Sequence, residues 1–307
     1  MAALLILICL MAGATTCGKK KDEQPIISSP KKAELYELYL KKITEAEARR
    51  SKDGWLGTAE CDAMLWTGKY SCAAKDVNIL PAEYPEQPGR FNRRPAPFFC
   101  EVNAGSATSW SRDMGMGLIT YAFCNDNLAV LQRHASYGVS KQWKMGEPLD
   151  DGRVVYTPSV IGHLYQAIYT LGGADNANRV WPSIYSQGLE GFQAHLQMID
   201  IWLKNEISQR QIDLGLNAGT EQENKKGVQL SISAIMYDRI KEHSTREPLC
   251  PFYQYMRGLY DSGQMTETID LLMGDEWNCT YLHTDDRASE VFLAEWLFVA
   301  NRVLRKI

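Results

Sequence analysis

Apolar residues recur along most of this chain at helical spacing, and no stretch shows strands in clear alternation. Residues 32–50, KAELYELYLKKITEAEARR, place Leu35, Leu38, Tyr39 and Ile43 near one face and charge on the rest. That pattern predicts an amphipathic surface helix, ended by Lys52, Asp53 and Gly54. A second helix is predicted over about 58–74, with Thr58 as its cap. Residues 76–105 run through Pro81, Pro85, Pro88, Pro95 and Pro97. They read as a long irregular connection, a kind of loop that usually carries function in a compact domain. Helices at about 111–124 and 127–140 follow, then a loop over 141–156. Thr157 and Pro158 supply a cap and a first-position proline for a helix that ends at Gly172–Gly173. Residues 189–208 carry a stripe of Phe192, Leu196, Ile199 and Leu203, and 209–227 form a polar gap. Further helices are predicted at about 228–243, 250–260, 265–273 and 288–305.

Two of these segments, 113–124 and 291–300, are apolar nearly all round yet far too short to cross a membrane. Such helices need neighbours on every side. An inner set of helices enclosed by an outer set supplies them, so the pattern implies an all-α double layer in one domain over 32–307. The run SATSWSRDMGMGLITYAF (106–123) shows how such a helix begins, with Trp110, Ser111, Arg112 and Asp113 before the apolar stretch. Its flank is buried but its N-terminal end carries unpaired N–H groups and partial positive charge, which suits Asp113. Ser109 or Ser111 can cap it. Gly115 and Gly117 let neighbouring backbones come close, and polar residues at such an end line the floor of a hollow.

The leader changes the picture. Leu4 to Met11 is an apolar run followed by small residues, the pattern of a secretory signal. Ala14, Thr15 and Thr16 before Cys17 resemble a bacterial lipoprotein processing site, with lipid expected on Cys17; ordinary signal cleavage is the alternative. Residues 1–17 are thus expected to be the leader and 18–31, polar and containing Pro25 and Pro30, a flexible tether. A buried N-terminal helix is the competing reading. Of the eight cysteines, Cys9 lies in the leader, and Cys61, Cys72, Cys100, Cys124, Cys250 and Cys279 remain beside Cys17. In an oxidising compartment they allow up to three disulfides in fifteen pairings; several buried thiols are the alternative. No C-x-x-C pair and no H-E-x-x-H pair occurs, which gives no support to a zinc or thiol-redox site. The net charge of −4 argues against a general nucleic-acid binder. Neither G-x-S-x-G nor a phosphate loop is found, and no cofactor is implied.

Four stretches carry a family likeness: DGWLGTAECDAMLW (53–66), SWSRDMGMGLITYAF (109–123), KQWKMGEPLDDGRVVYTPSVIGHLYQAIYTLGG (141–173) and LHTDDRASEVFLAEWLFVAN (282–301). Together they resemble the six-hairpin, (α/α)6-toroid superfamily, which includes many glycoside hydrolases. No single glycosidase family's full signature is matched. The resemblance implies a toroid-like double layer of helices with a sugar-binding cleft at one rim, built by inner-helix ends and the connections beside them.

Glycoside hydrolysis needs two carboxyl groups across one bond. Carboxyls at the expected rim are Glu60, Asp62, Asp113, Glu147, Asp150, Asp151, Asp285 and Asp286. Asp62 and Asp113 are the expected catalytic pair, because apolar and aromatic neighbours can raise a carboxyl pKa and keep an acid protonated. Arg112 would instead keep a neighbouring carboxylate ionised. The competing role for Arg112 and Asp113 is a helix cap and ion-pair cluster. Trp55, Trp66, Trp110 and Trp143 are expected to stack on sugar faces, with core packing as the alternative. Arg153 is expected to hold an anionic or hydroxylated ligand, or to pair with Asp150 or Asp151. His283 with Asp285 forms a candidate polar pair near the last inner helix. The expectation is an exported glycoside hydrolase-like envelope protein acting on a cell-wall glycan or other polysaccharide. Its alternative is a non-catalytic toroid that binds glycan or protein, held to a membrane through a lipid at Cys17.

Overall fold

The structure is a computed structural model that describes residues 30–53, 63–74, 81–95, 110–146, 155–172, 194–216, 220, 255, 262–274 and 290–306. Helix α1 (Pro30–Asp53) opens on a proline, whose missing N–H costs nothing in a first turn. Helix α2 is Ala63–Ala73, α3 Arg112–Cys124, α4 Leu128–Ser140, α5 Pro158–Gly172 and α6 Ala194–Asp213. The last two described helices, α7 and α8, are Ser262–Met273 and Glu290–Lys306. The described part is therefore mostly helical, in line with the helical spacing of the sequence. The helices expected at 228–243 and 250–260 lie outside the described residues apart from Tyr255.

Packing follows the expected character of each helix. Every residue of α3 from Met114 to Phe123 is buried. So is every residue of α8 from Leu293 to Leu304. By contrast, α1 buries Lys32, Leu35, Tyr39 and Ala46 and leaves most of its other described charged residues in water.

Contact register gives helix direction. Gly68 meets Gly117, and Cys72 is disulfide-bonded to Cys124, so α2 and α3 run the same way. Lys69 pairs with Glu295, and the Asn301 amide donates to the Ala73 carbonyl at 2.8 Å, which sets α8 parallel to α2. Tyr156 touches Gly115 and Leu128 touches Gly172, so α5 runs with α3 and against α4. Ser159 bonds Asp200 while Thr170 accepts from Gln211, so α6 runs with α5. Trp202 of α6 then meets Phe298 of α8 edge-on, with ring centroids 4.7 Å apart. Helix α1 runs opposite to α2: Tyr39 donates to the Ala73 carbonyl, and the Tyr70 hydroxyl reaches back to Glu47. Thus α2, α3, α5, α6 and α8 share one direction, and α1 and α4 oppose it.

Three expectations need correction. The connection over 76–105 is not wholly irregular. Strands β1 (Pro81–Glu83) and β2 (Phe91–Pro95) pair as a small antiparallel hairpin. Strands of three and five residues are too short to show alternation, and their prolines stand opposite each other at the open end of the hairpin, where the register shifts between Pro81 and Glu83. Helix α6 reaches five residues past its expected end, to Asp213. The polar residues there face partners: Gln211 donates to Gln166 and Thr170, and Arg210 lies over Phe123. Third, Ser111 occupies the N-cap of α3 but its hydroxyl makes no capping bond and is buried without a hydrogen-bond partner.

Candidate functional site

The N-terminal end of α3 gathers the polar chemistry. Asp113 sits in the first turn, half-buried, with Arg112 before it. Near it lies an ion pair that the hydrophobic pattern hides. Lys69 of α2 bonds the Glu295 carboxylate of α8, and both side chains are fully buried. Burial pulls the Lys69 ammonium below the usual lysine range; Glu295, and then Asp113, oppose that pull. Lys69 of α2, Asp113 of α3 and Glu295 of α8 interact here. The pair's sequence signal is present: Lys69 is the only charge in residues 63–74, and Glu295 the only one in 291–300.

Beside this corner runs a buried chain of hydrogen bonds. The Trp110 indole N–H donates to the Tyr156 hydroxyl at 2.6 Å. That oxygen lies 2.7 Å from His134 Nε2, and His134 Nδ1 lies 2.8 Å from the Gly89 carbonyl. Directions follow from what each group can do. An indole can only donate and a carbonyl can only accept, so Tyr156 gives its proton to Nε2 and Nδ1–H bonds Gly89. Burial keeps the imidazole neutral, pulling its pKa down to about 4, and pushes the Tyr156 hydroxyl well up. Gly89 itself has φ +88°, and a Cβ there would stand 2.1 Å from the Arg133 carbonyl oxygen, so only glycine fits. Glu83 fastens the hairpin further, accepting from the Gly89 N–H at 2.6 Å and from Arg133 at 2.8 Å. Burial favours its neutral form, but those donors outweigh it and hold the carboxyl below its ordinary range.

A third cluster ties α5 to α6. Ser159 Oγ–H donates to Asp200 Oδ1 at 2.7 Å, and the His163 ring lies between the carbonyls of Ser159 and Asp200. Burial pushes the Asp200 carboxyl up, and its Oδ2 has no hydrogen-bond partner.

No protein-family model, no curated protein and no solved structure matches the chain. The reading of function therefore rests on the chain's own residues.

Of the residues expected to act, Trp110, Arg112, Asp113 and Trp143 fall in the described part. Trp110 is 3% exposed, with its N–H committed to Tyr156. Trp143 is half-buried and stacks on Tyr156 at 6.4 Å between ring centroids. The structure thus brings Trp110, Trp143 and Asp113 to one neighbourhood, since Tyr156 also lies against Gly115. Trp66 falls within α2, but its side chain lies outside the described residues, as do Asp62, Trp55, Arg153, His283 and Cys17. The carboxyls at 60, 147, 150, 151, 285 and 286 lie there too. One disulfide among the six cysteines, Cys72–Cys124, is described; Cys61, Cys100, Cys250 and Cys279 fall outside. Among the described residues no cluster of histidine, cysteine and carboxylate groups suited to a metal ion is present, and no helix is long and apolar enough to cross a membrane.

Proposed function

We propose that the chain is an exported, toroid-like protein that hydrolyses a polysaccharide at the rim where its same-direction helices begin. Asp113 is one carboxyl of its catalytic pair and Asp62 the other. The observation that carries the reading is the position of Asp113. It is a half-buried carboxyl at the N-terminal tip of a helix enclosed along its length, in electrostatic interaction with the buried Lys69. Two features support the toroid. Five helices share a direction, and their contacts pass from α2 through α3, α5 and α6 to α8 and back to α2. The Cys72–Cys124 bond agrees with an oxidising compartment, as export requires.

One observation favours a second reading, glycan binding without turnover. Glu295, the other carboxylate at this corner, is fully buried against Lys69 and offers no face to a substrate. The test is incubation of the mature chain with a polysaccharide and peptidoglycan panel, wild type beside Asp62→Asn and Asp113→Asn. The proposal expects product from the wild type and a loss of at least about 100-fold in each variant. Equal activity in all three removes the assignment. Retention of glycan without product, weakened by Trp143→Ala but not by the carboxamide variants, establishes binding instead.

A further inference from the structure

The two sulfurs of the Cys72–Cys124 bond have different surroundings. Cys72 is 2% exposed, whereas Cys124, the last residue of α3, is only half-buried. Arg302 of α8 donates from Nη2 to Cys124 Sγ at 3.3 Å. Arg302 is itself buried and stacked over the rings of Trp202 and Phe298, and its Nε has no hydrogen-bond partner. Cys72 Sγ instead lies 3.5 Å from the Thr120 carbonyl oxygen. In the bonded state neither sulfur carries a charge or a proton. Reduction makes them unlike. A thiol on Cys72 can donate to the Thr120 carbonyl, and that oxygen repels a thiolate. A thiolate on Cys124 meets a cation that little water screens.

We propose that Cys72–Cys124 is an exchange site for a small-molecule thiol, in which Cys124 forms the mixed disulfide, Arg302 holds Cys124 as a thiolate once freed, and Cys72 is the buried resolving thiol. The glycan reading above plays no part in it.

The steps balance as two-electron exchange. The small molecule's thiolate attacks Cys124 Sγ, on the half of the pair that reaches water. The bond to Cys72 breaks, its electron pair leaves on Cys72 Sγ, and that sulfur takes a proton from water and bonds the Thr120 carbonyl. A second thiolate attacks the small molecule's own sulfur, which yields the small-molecule disulfide and releases Cys124 as a thiolate beside Arg302. Two thiols are oxidised and the protein bond is reduced; the same steps in reverse restore it. Two effects work against the Cys124 thiolate. It ends α3, where the free carbonyls carry partial negative charge, and it is partly desolvated. Arg302 outweighs both through direct contact. The other charges that the described residues bring near are themselves paired. Arg210 of α6, over Phe123, bonds Asp126 at 2.6 Å, and Lys69, one turn before Cys72, is joined to Glu295. Tyr39 and Tyr255 interact with Arg302, and burial pushes both hydroxyls up, which keeps them neutral.

The test incubates the full, folded chain with reduced glutathione, traps it with iodoacetamide and maps each cysteine by peptide mass. Glutathione is expected on Cys124 and not on Cys72. Alkylation of reduced Cys124 against pH should have its midpoint below the ordinary thiol value of about 8.5. Arg302→Met raises that midpoint by about one unit or more, and Arg302→Lys holds it near wild type. Glutathione on Cys72, or on both sulfurs equally, overturns the proposal. So does a bond that takes up no glutathione at all, which leaves it a structural staple. Cys72→Ser frees Cys124 without reductant and keeps Arg302, and it decides the matter where Arg302→Met does not fold. A Cys124 midpoint at or above the ordinary value in that variant is equally fatal.

Discussion

Gly68 of α2 lies so close to Gly117 of α3 that a Cβ on Gly68 would stand 2.2 Å from the Gly117 carbonyl oxygen. Two backbones in direct contact leave no side chain to move aside. Gly68→Ala should therefore force α2 and α3 apart and destabilise the protein by about 3 kcal/mol, the upper range for overpacking. Urea denaturation checks this. Gly215→Ala is a control in open space, although its φ of +70° adds a small backbone cost of about 1 kcal/mol. Equal midpoints for Gly68→Ala and wild type would show that the close approach is absent.

Acid should loosen the hairpin anchor. His134 is buried and neutral with a pKa of about 4, against 6.5 for a free histidine. The unfolded chain therefore takes up a proton at a higher pH than the folded one. The sign follows: stability from neutral His134 is complete above pH 6.5 and is lost as pH falls towards 4. The loss amounts to roughly 3 kcal/mol. Denaturation midpoints measured at pH 7, 5.5 and 4.5 check it, with His134→Gln expected to give a flatter profile. A wild type that gains stability on acidification over this range would contradict the assignment.

Reduction should cost stability through the unfolded chain. The Cys72–Cys124 bond closes a loop of 52 residues between the C-terminal ends of two parallel helices. Chain entropy alone assigns such a loop about 4 kcal/mol. Cys72→Ala/Cys124→Ala is expected to lower stability by about 3–4 kcal/mol while leaving the helical circular dichroism in place. An identical melting curve with and without reductant would speak against the bond.

Removing half of the buried ion pair should harm the fold more than removing all of it. Lys69→Met leaves Glu295 charged and enclosed, for a loss of about 3–5 kcal/mol; Lys69→Met/Glu295→Leu removes the stranded charge and recovers most of it. Chemical denaturation of the two variants decides. A double variant as unstable as the single one would mean that the pair contributes attraction well beyond its desolvation.

The sequence announced the enclosed helices because burial on every side leaves an unbroken apolar run, as from Met114 to Phe123. It announced the start of α5 because Pro158 can only begin a helix cleanly, and Thr157 does lend its carbonyl to the Ile161 N–H at 3.1 Å. Gly117 was legible as a point of backbone approach, and Asp113 as a carboxyl in a first turn, whereas Gly115 makes room for the Tyr156 ring and not for a backbone. Other features depend on partners distant in the chain. Lys69 and Glu295 are 226 residues apart, and each reads alone as a stray charge in an apolar helix. Gln211 reads as a polar break until Gln166 and Thr170 are seen to take its amide protons. His134 looked like one of several scattered histidines because its role is set by Gly89, 45 residues earlier, and by Tyr156, 22 later.

The fastening of β1 and β2 has a consequence for how the chain can be assembled or cut. Every clasp on that ribbon named above comes from Arg133 and His134, which leave a ribosome some forty residues after Phe91 does. Until they arrive the ribbon has its own few rungs and the packing of β2 on α2 and of Phe91 against Trp110. A fragment that stops after α3 therefore keeps the apolar seat of the ribbon but not its polar clasps, and an N-terminal piece must extend through α4 to carry both.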